Sequence, residues 1–182
     1  MTRTSVHLVE RPTTSVEDRH FETREGEVPS AGKDEVLVKV SHISLDPAMR
    51  GWMNDGKSYV PPVGINEIMR AGGVGEVIDS NANGIAKGDW VTGTFGVTTH
   101  AVLPGSEVTK IDTSLAPPET WLGILGMPGM TAWIGIIEVG QVKAGETVVV
   151  SAASGAVGAL VCQIAKLKGA RVVGLAGGPE KC

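Results

Sequence analysis

The segment Val148-Val149-Val150-Ser151-Ala152-Ala153-Ser154-Gly155-Ala156-Val157-Gly158-Ala159-Leu160-Val161 puts small residues where a chain turns tightly and comes close to an anion. Ala152, Gly155 and Gly158 recur at every third position. At that spacing a small residue lets backbone approach a pyrophosphate, a glycine makes the turn, and a second glycine lets the opening helix pack on the strand before it. The chemistry this predicts is capture of a phosphate by backbone N–H groups at a helix N-terminus. A glycine turn with a purely structural role is the other reading of the same spacing, and the order of elements favours the first. The β-branched run Val148-Val149-Val150 reads as a buried strand. Residues 159–168 continue with helical apolar spacing, Gly169 stops that helix, and Arg171-Val172-Val173-Gly174-Leu175-Ala176 reads as a second strand.

The tip of the second strand chooses the ligand. An NAD-binding unit places an Asp or Glu about 20 residues beyond the first motif glycine, against the ribose hydroxyls. Here Gly177-Gly178 stands there, with Lys181 just beyond, where it would meet a 2′-phosphate; charge complementarity favours NADP over NAD. Glu180 argues the other way, and Pro179-Glu180-Lys181 also reads as a solvated helix start with Pro in its first turn.

A doubly wound fold is built from two such halves, ~six parallel strands in all, and this sequence shows the first half only. Two strands and one helix do not bury both faces of a parallel sheet. The open strand edge therefore predicts association with a second copy, or mobility beyond about residue 140.

Composition excludes several function classes. The chain has 182 residues, 42% hydrophobic and 20% charged, with a formal net charge of −4 and no basic run, which argues against nucleic acid and against a charged membrane surface. No apolar stretch approaches the ~20 residues that span a bilayer. Met1-Thr2-Arg3-Thr4-Ser5 does not open a secretory leader, so a cytoplasmic location is expected. Cys162, in a helix expected to be buried, and Cys182 form no metal or redox spacing and are read as free thiols.

With 25 glycines, 10 prolines and few aromatics, the region 1–125 reads as turn-rich and strand-rich. Residues 35–44 and 71–79 alternate with the period of half-buried strands, the glycines of the latter allowing the close bends of a small barrel. Residues 87–93 and 99–103 add short strands, giving an antiparallel β domain. Pro117-Pro118-Glu119 then opens a helical connector, and Gly129–Gly140 is predicted to be a helix capped by its last glycine. No low-complexity linker follows, so two domains packed together are expected.

Five motifs in order carry a resemblance across nearly the whole chain: Ser44-Leu45-Asp46-Pro47-Ala48-Met49-Arg50-Gly51, Ser58-Tyr59-Val60-Pro61-Pro62-Val63, Gly126-Met127-Pro128-Gly129-Met130-Thr131-Ala132, residues 144–153, and Gly177-Gly178-Pro179-Glu180-Lys181. The chain resembles the zinc-independent medium-chain dehydrogenase/reductases, and within them the branch of NADPH-dependent double-bond reductases. The resemblance implies an α/β chain with a β-rich part: a GroES-like catalytic domain over 1–125, then the amino-terminal half of an NADP-binding Rossmann domain over 126–182. It places the active site in the cleft between them, and it implies that the remainder of the family's chain is missing here.

The implied activity is reduction of the carbon–carbon double bond of an α,β-unsaturated carbonyl compound, an enone or quinone, by NADPH. The partner is then a small-molecule substrate. Gly155, Ala156, Val157 and Gly158 would line the pyrophosphate, Lys181 would bind the 2′-phosphate, and Thr131 would lie near the nicotinamide. A buried Thr131 hydroxyl bonded to its own helix is the other reading. Ala48 departs from the tyrosine that many relatives carry in this motif, which leaves Tyr59, the only tyrosine, as the candidate donor to a substrate carbonyl. A surface-packed aromatic is its alternative. Asp46 and Arg50 could form an ion pair.

Zinc-dependent relatives use a cysteine and a histidine–glutamate pair at positions where this chain has Ser44-Leu45-Asp46 and Arg70-Ala71-Gly72, so no metal is expected. The four histidines are scattered singly and read as packing or surface residues. A second functional reading is a non-catalytic module that acts in binding or assembly. With half a nucleotide-binding domain, the 182-residue chain alone is expected to show little reductase activity.

Overall fold

The computed structural model describes residues 2–181 and divides into two units, Met1–Glu119 and Thr120–Cys182. Cys182, read from the sequence as a free thiol, lies outside the described residues.

The first unit begins with the antiparallel pair β1 (Thr2–Leu8) and β2 (Phe21–Glu27). It continues through β3 (Glu35–Ile43), the short helix α1 (Ala48–Trp52), β4 (Gly73–Ser80), β5 (Trp90–Gly93), β6 (His100–Pro104) and β7 (Val108–Ile111). Strands β3 to β7 form one antiparallel sheet in the order β6-β3-β4-β5-β7. β1 is tied to the same body: the Val6 N–H donates to the Val97 carbonyl at 2.9 Å and the Thr99 N–H to the Thr4 carbonyl at 2.9 Å. The antiparallel β domain expected from the alternating segments is thus present. β1, β2 and β7 were not among the expected strands.

Two apolar clusters hold this unit. Val36, Val38, Val77 and Val91 are fully buried on the inner face of the five-stranded sheet, closed by Phe95, Leu103 and Val108. Leu8, Met49, Met53, Val63, Met69 and Ala71 form a second cluster around α1. Met53 and Val63 are both buried there, so the loop between them is fixed at its two ends and projects in the middle.

β4 carries glycines where β3 changes register. The pairing slips between Leu37 and Val38 and again between Val40 and His42. At Gly75 a Cβ would fall on the Lys39 carbonyl oxygen and 2.6 Å from Cγ1 of Val38. A side chain at this position would push β3 and β4 apart, which accounts for the alternation of glycine with apolar residues seen in the sequence.

The second unit contains α2 (Met127–Trp133), β8 (Thr147–Val150), α3 (Ala156–Leu167) and β9 (Arg171–Gly174). β8 and β9 pair in parallel, Thr147 with Arg171 through Val150 with Gly174. α2 packs on α3, with Ala132 and Ala165 fully buried and small enough for close approach. Gly169, with φ +83°, ends α3 in the left-handed conformation, where glycine carries no steric penalty. Val149 and Val173 remain exposed on the two-stranded sheet, as does Leu175 just beyond β9.

Two sequence expectations need correction here. The helix expected over Gly129–Gly140 starts earlier, at Met127, and from Ile134 to Val139 widens to a π-helix, with the Gly140 N–H bonded to the Gly135 carbonyl five residues back. The widening coincides with the β-branched residues Ile134, Ile136, Ile137 and Val139, whose χ1 freedom an α-helix restricts. Gly140 is the C-cap, as the sequence led one to expect, with an ordinary φ of −73°, and the left-handed residue that follows is Gln141, φ +49°. Cys162 is half-buried and free, not enclosed in a core helix. Among the described residues no helix is long and apolar enough to cross a membrane.

The glycine contacts give a stability prediction. Gly75→Ala should cost ~2 kcal/mol of unfolding free energy by overpacking β3 against β4. Gly26→Ala in β2, where a Cβ meets nothing within 4 Å, should change it by less than ~0.5 kcal/mol. Chemical denaturation of the two variants checks this; equal effects would refute it.

Candidate functional site

The turn that follows β8 is built around the Ala152 carbonyl. Ala152 has φ +48°, a left-handed conformation that costs an alanine ~1–2 kcal/mol. It is held there by its neighbours: the Gly155 N–H donates to the Ala152 carbonyl at 2.9 Å, and the Ala153 N–H to the Leu175 carbonyl at 2.9 Å. The same oxygen faces Gly158, where a Cβ would fall on it and lie 2.9 Å from its carbonyl carbon. Gly155 has an ordinary extended backbone, φ −79° and ψ 168°. The division of labour expected at the motif is therefore corrected: the sharp turn is made at Ala152, while Gly158 supplies the close approach.

Gly155 is the N-cap of α3 and offers no side-chain cap. The first-turn N–H groups of Ala156, Val157 and Gly158 have no partner within the helix, by the geometry of any helix start. They open at the N-terminus of a 12-residue helix, on a turn whose residues 154–157 are exposed. Such an end carries a partial positive charge and bare donors, so it takes an anion. The absence of any Cβ at Gly158 is what keeps the strand, turn and helix together here. The residues present therefore fit a dinucleotide pyrophosphate.

Lys181 belongs to the same unit. Beyond β9 the chain turns at Gly178, φ +88°, into the short 3₁₀ turn Pro179–Lys181, all of it exposed. The helix-start alternative for Pro179-Glu180-Lys181 describes the local backbone, and Lys181 has no ion pair among the described residues.

Thr131 sits on α2, whose first turn is built closely: a Cβ at Gly129 would fall on the Ile124 carbonyl oxygen, and one at Gly126 on that of Trp121. The Thr131 hydroxyl donates to the Met127 carbonyl at 2.7 Å. The back-bond of the alternative reading is present, but the side chain is exposed and not buried, leaving its oxygen lone pairs open. On the same helix, the Lys168 ammonium of the α3 end stands 5.8 Å from the Trp133 ring centroid.

In the first unit Tyr59 lies on the loop fixed by Met53 and Val63 and is 81% exposed. The Trp52 indole N–H donates to its hydroxyl oxygen at 3.3 Å. Asp46 and Arg50 do not pair. Asp46 accepts from the Ser44 hydroxyl at 3.1 Å, while Arg50 donates to Asn54 at 2.6 Å and to the Pro12 and Thr14 carbonyls at 3.0 and 3.1 Å. Arg50 thus fastens the 12–14 loop to α1, a structural task that leaves no free cation for the aspartate. His100 is buried, and that burial, with the charge of Lys39 beside it, lowers its pKa and favours the neutral ring. Among the described residues no three His, Cys, Asp or Glu side chains come together to hold a metal ion.

Residues 4–111 match the family described as the N-terminal domain of oxidoreductase. The chain is 46% identical over 175 residues to the NADPH-dependent curcumin reductase of Escherichia coli (strain K12), covering 96% of this chain and 51% of that protein. It is 44% identical over 152 residues to the NADP(+)-dependent 2-alkenal reductase of Nicotiana tabacum, covering 82% of this chain and 44% of the relative. Among solved structures, CurA from Vibrio vulnificus in complex with NADPH superposes with a TM-score of 0.91 at 42% identity, over 98% of this chain and 53% of that one. The chain spans about half the length of the relatives it matches.

Two substitutions separate the roles at the turn. Gly158→Ala should destabilise the second unit by ~2 kcal/mol or more, because the Ala152 carbonyl cannot move without opening the turn. Ala152→Gly should instead stabilise it by ~0.5–1 kcal/mol, by relieving the left-handed alanine. Thermal melts read both; a destabilising Ala152→Gly would contradict the geometry.

Proposed function

The chain belongs to the zinc-independent medium-chain dehydrogenase/reductases through their N-terminal oxidoreductase domain, and from that membership we propose that it serves NADPH-dependent reduction of the carbon–carbon double bond of α,β-unsaturated carbonyl compounds. The observation that carries the reading is the bare N-terminus of α3 with a glycine at the closest approach, on the same unit as an exposed lysine. We place the GroES-like domain at 1–125 and the nucleotide-binding part at 126–182.

When bound, NADPH supplies a hydride to the β-carbon of the enone. The chain's residues divide the rest of the work. The N–H groups of Ala156, Val157 and Gly158, with Gly155 as the turn, hold the pyrophosphate against the helix end. Lys181 meets the 2′-phosphate, a dianionic group that NADH lacks. Thr131 offers its oxygen to the nicotinamide carboxamide. As two electrons enter the double bond, negative charge collects on the substrate's carbonyl oxygen, and the Tyr59 hydroxyl donates a hydrogen bond to it. A proton from solvent then completes the α-carbon, so the product is the saturated carbonyl compound.

The names of the relatives support the same substrate class, since a 2-alkenal is an α,β-unsaturated aldehyde. Calorimetric titration with NADPH and NADH tests the nucleotide half of the proposal. Lys181→Ala should weaken NADPH by about tenfold, an energy of ~1.4 kcal/mol, and leave NADH nearly unchanged. Equal losses for both would remove Lys181 from the site. NADPH oxidation with enones and quinones tests the chemistry in a form that carries the complete nucleotide-binding domain, because the 182-residue chain alone is expected to turn over little. In that form Tyr59→Phe should lower kcat by about tenfold or more with a smaller change in KM.

A further inference from the structure

We propose that Trp52 and Arg70 are positioning residues for Tyr59, and that the Arg70–Trp52 pair leaves the phenolic proton free for the substrate. The inference rests on the reading of Tyr59 as the donor to the substrate's carbonyl oxygen. The three residues come from separate segments: Trp52 ends α1, Tyr59 sits on the loop after it, and Arg70 precedes β4.

Arg70 is the fixed point. It stands between Met69 and Ala71, both buried, and the Met69 backbone is bonded on two sides, to the Val6 carbonyl at 2.8 Å and from the Val97 N–H at 2.8 Å. From that rigid base its guanidinium does two things. Nη1 donates to the Pro61 carbonyl at 3.0 Å, which holds the Tyr59 loop two residues further on. Its Cζ also stands 5.4 Å from the centroid of the Trp52 ring, within cation–π range. The loop is closed from its other end by the Val63 N–H, which donates to the Trp52 carbonyl at 2.8 Å.

The indole so held turns its N–H to the Tyr59 oxygen at 3.3 Å. An indole is a donor only, so Tyr59 is the acceptor in this bond and keeps its own proton. An oxygen that accepts a hydrogen bond donates more strongly through its O–H, because the two bonds polarise each other. Without this arrangement, a tyrosine 81% exposed on a loop would have little to fix its direction. With it, the hydroxyl is both aimed and left open for a substrate oxygen. No proton leaves Tyr59 in this role.

Tyr59 is the only tyrosine in the chain, so 3-fluorotyrosine labelling gives one ¹⁹F resonance that reports this contact directly. Trp52→Phe removes the N–H and keeps a ring, and Arg70→Met removes the charge and the bond to Pro61. Each should shift and narrow the resonance as the ring is released, with the thermal midpoint showing that the fold survives. In NADPH-dependent enone reduction by a form that carries the complete nucleotide-binding domain, Trp52→Phe should lower kcat about fivefold, the worth of one neutral hydrogen bond, with KM within about twofold. It should cost nothing further when Tyr59 is already Phe.

A ¹⁹F resonance unmoved in both variants overturns the inference. So does a Trp52→Phe loss that persists in the Tyr59→Phe background, since Trp52 would then act by another route. Full activity in Tyr59→Phe alone would instead overturn the assignment of Tyr59 itself. Loss in Tyr59→Phe with full activity in Trp52→Phe and Arg70→Met would leave that assignment standing and sink only the positioning role.

Discussion

The nucleotide-binding reading depends on one close approach, the Ala152 carbonyl oxygen lying where a Cβ of residue 158 would otherwise be. That contact lets β8 turn directly into α3, so the helix begins one short turn from the end of the strand. The consequence is electrostatic as well as steric. A helix that starts with no side-chain cap presents its dipole and its first-turn N–H groups to whatever anion reaches it. The cost is also local: an alanine held at φ +48°. Strain of this kind persists only where the surroundings over-determine it, and here the bonds from Gly155 to Ala152 and from Ala153 to Leu175 do so.

The same device recurs in the first unit for a different purpose. Gly75 lets β4 lie against the Lys39 carbonyl at a register slip, beside the valine-rich core of the sheet. That core and the methionine-rich cluster beside it fix the two ends of the loop carrying Tyr59. Tyr59 and Lys181 lie on exposed connections, while the N–H groups of Ala156, Val157 and Gly158 open the first turn of α3 and Thr131 stands on α2. The direction of the Tyr59 loop is set by rigid elements on either side.

Much of this was legible in the residues. The period-two pattern of 35–43 gives β3, the β-branched run 148–150 gives β8, and Gly169 gives the end of α3. β1 was not legible, because only Ser5 and Leu8 of Thr2–Leu8 are buried and the remaining polar residues carry no alternation. β7 has four residues and a buried pair at its ends, too short for a pattern. The turn at Ala152 ran against residue preference, since glycine is the usual occupant of a left-handed position and a glycine stood three residues away. The Arg70–Trp52–Tyr59 arrangement joins three segments whose proximity no local spacing encodes. An Asp46–Arg50 pair was an open possibility, but the Arg50 side chain is held by carbonyls of the 12–14 loop, a long-range contact.

The nucleotide-binding role depends most directly on where a dinucleotide touches the chain. Backbone amide shifts followed by ¹H–¹⁵N correlation spectra during an NADPH titration read that contact residue by residue. The expected result is a saturable set of shifts centred on the amides of Ala156, Val157 and Gly158, joined by those around Gly178 and Lys181, and weaker with NADH near Lys181. Shifts absent from the start of α3, or confined to the first unit, would contradict the central claim.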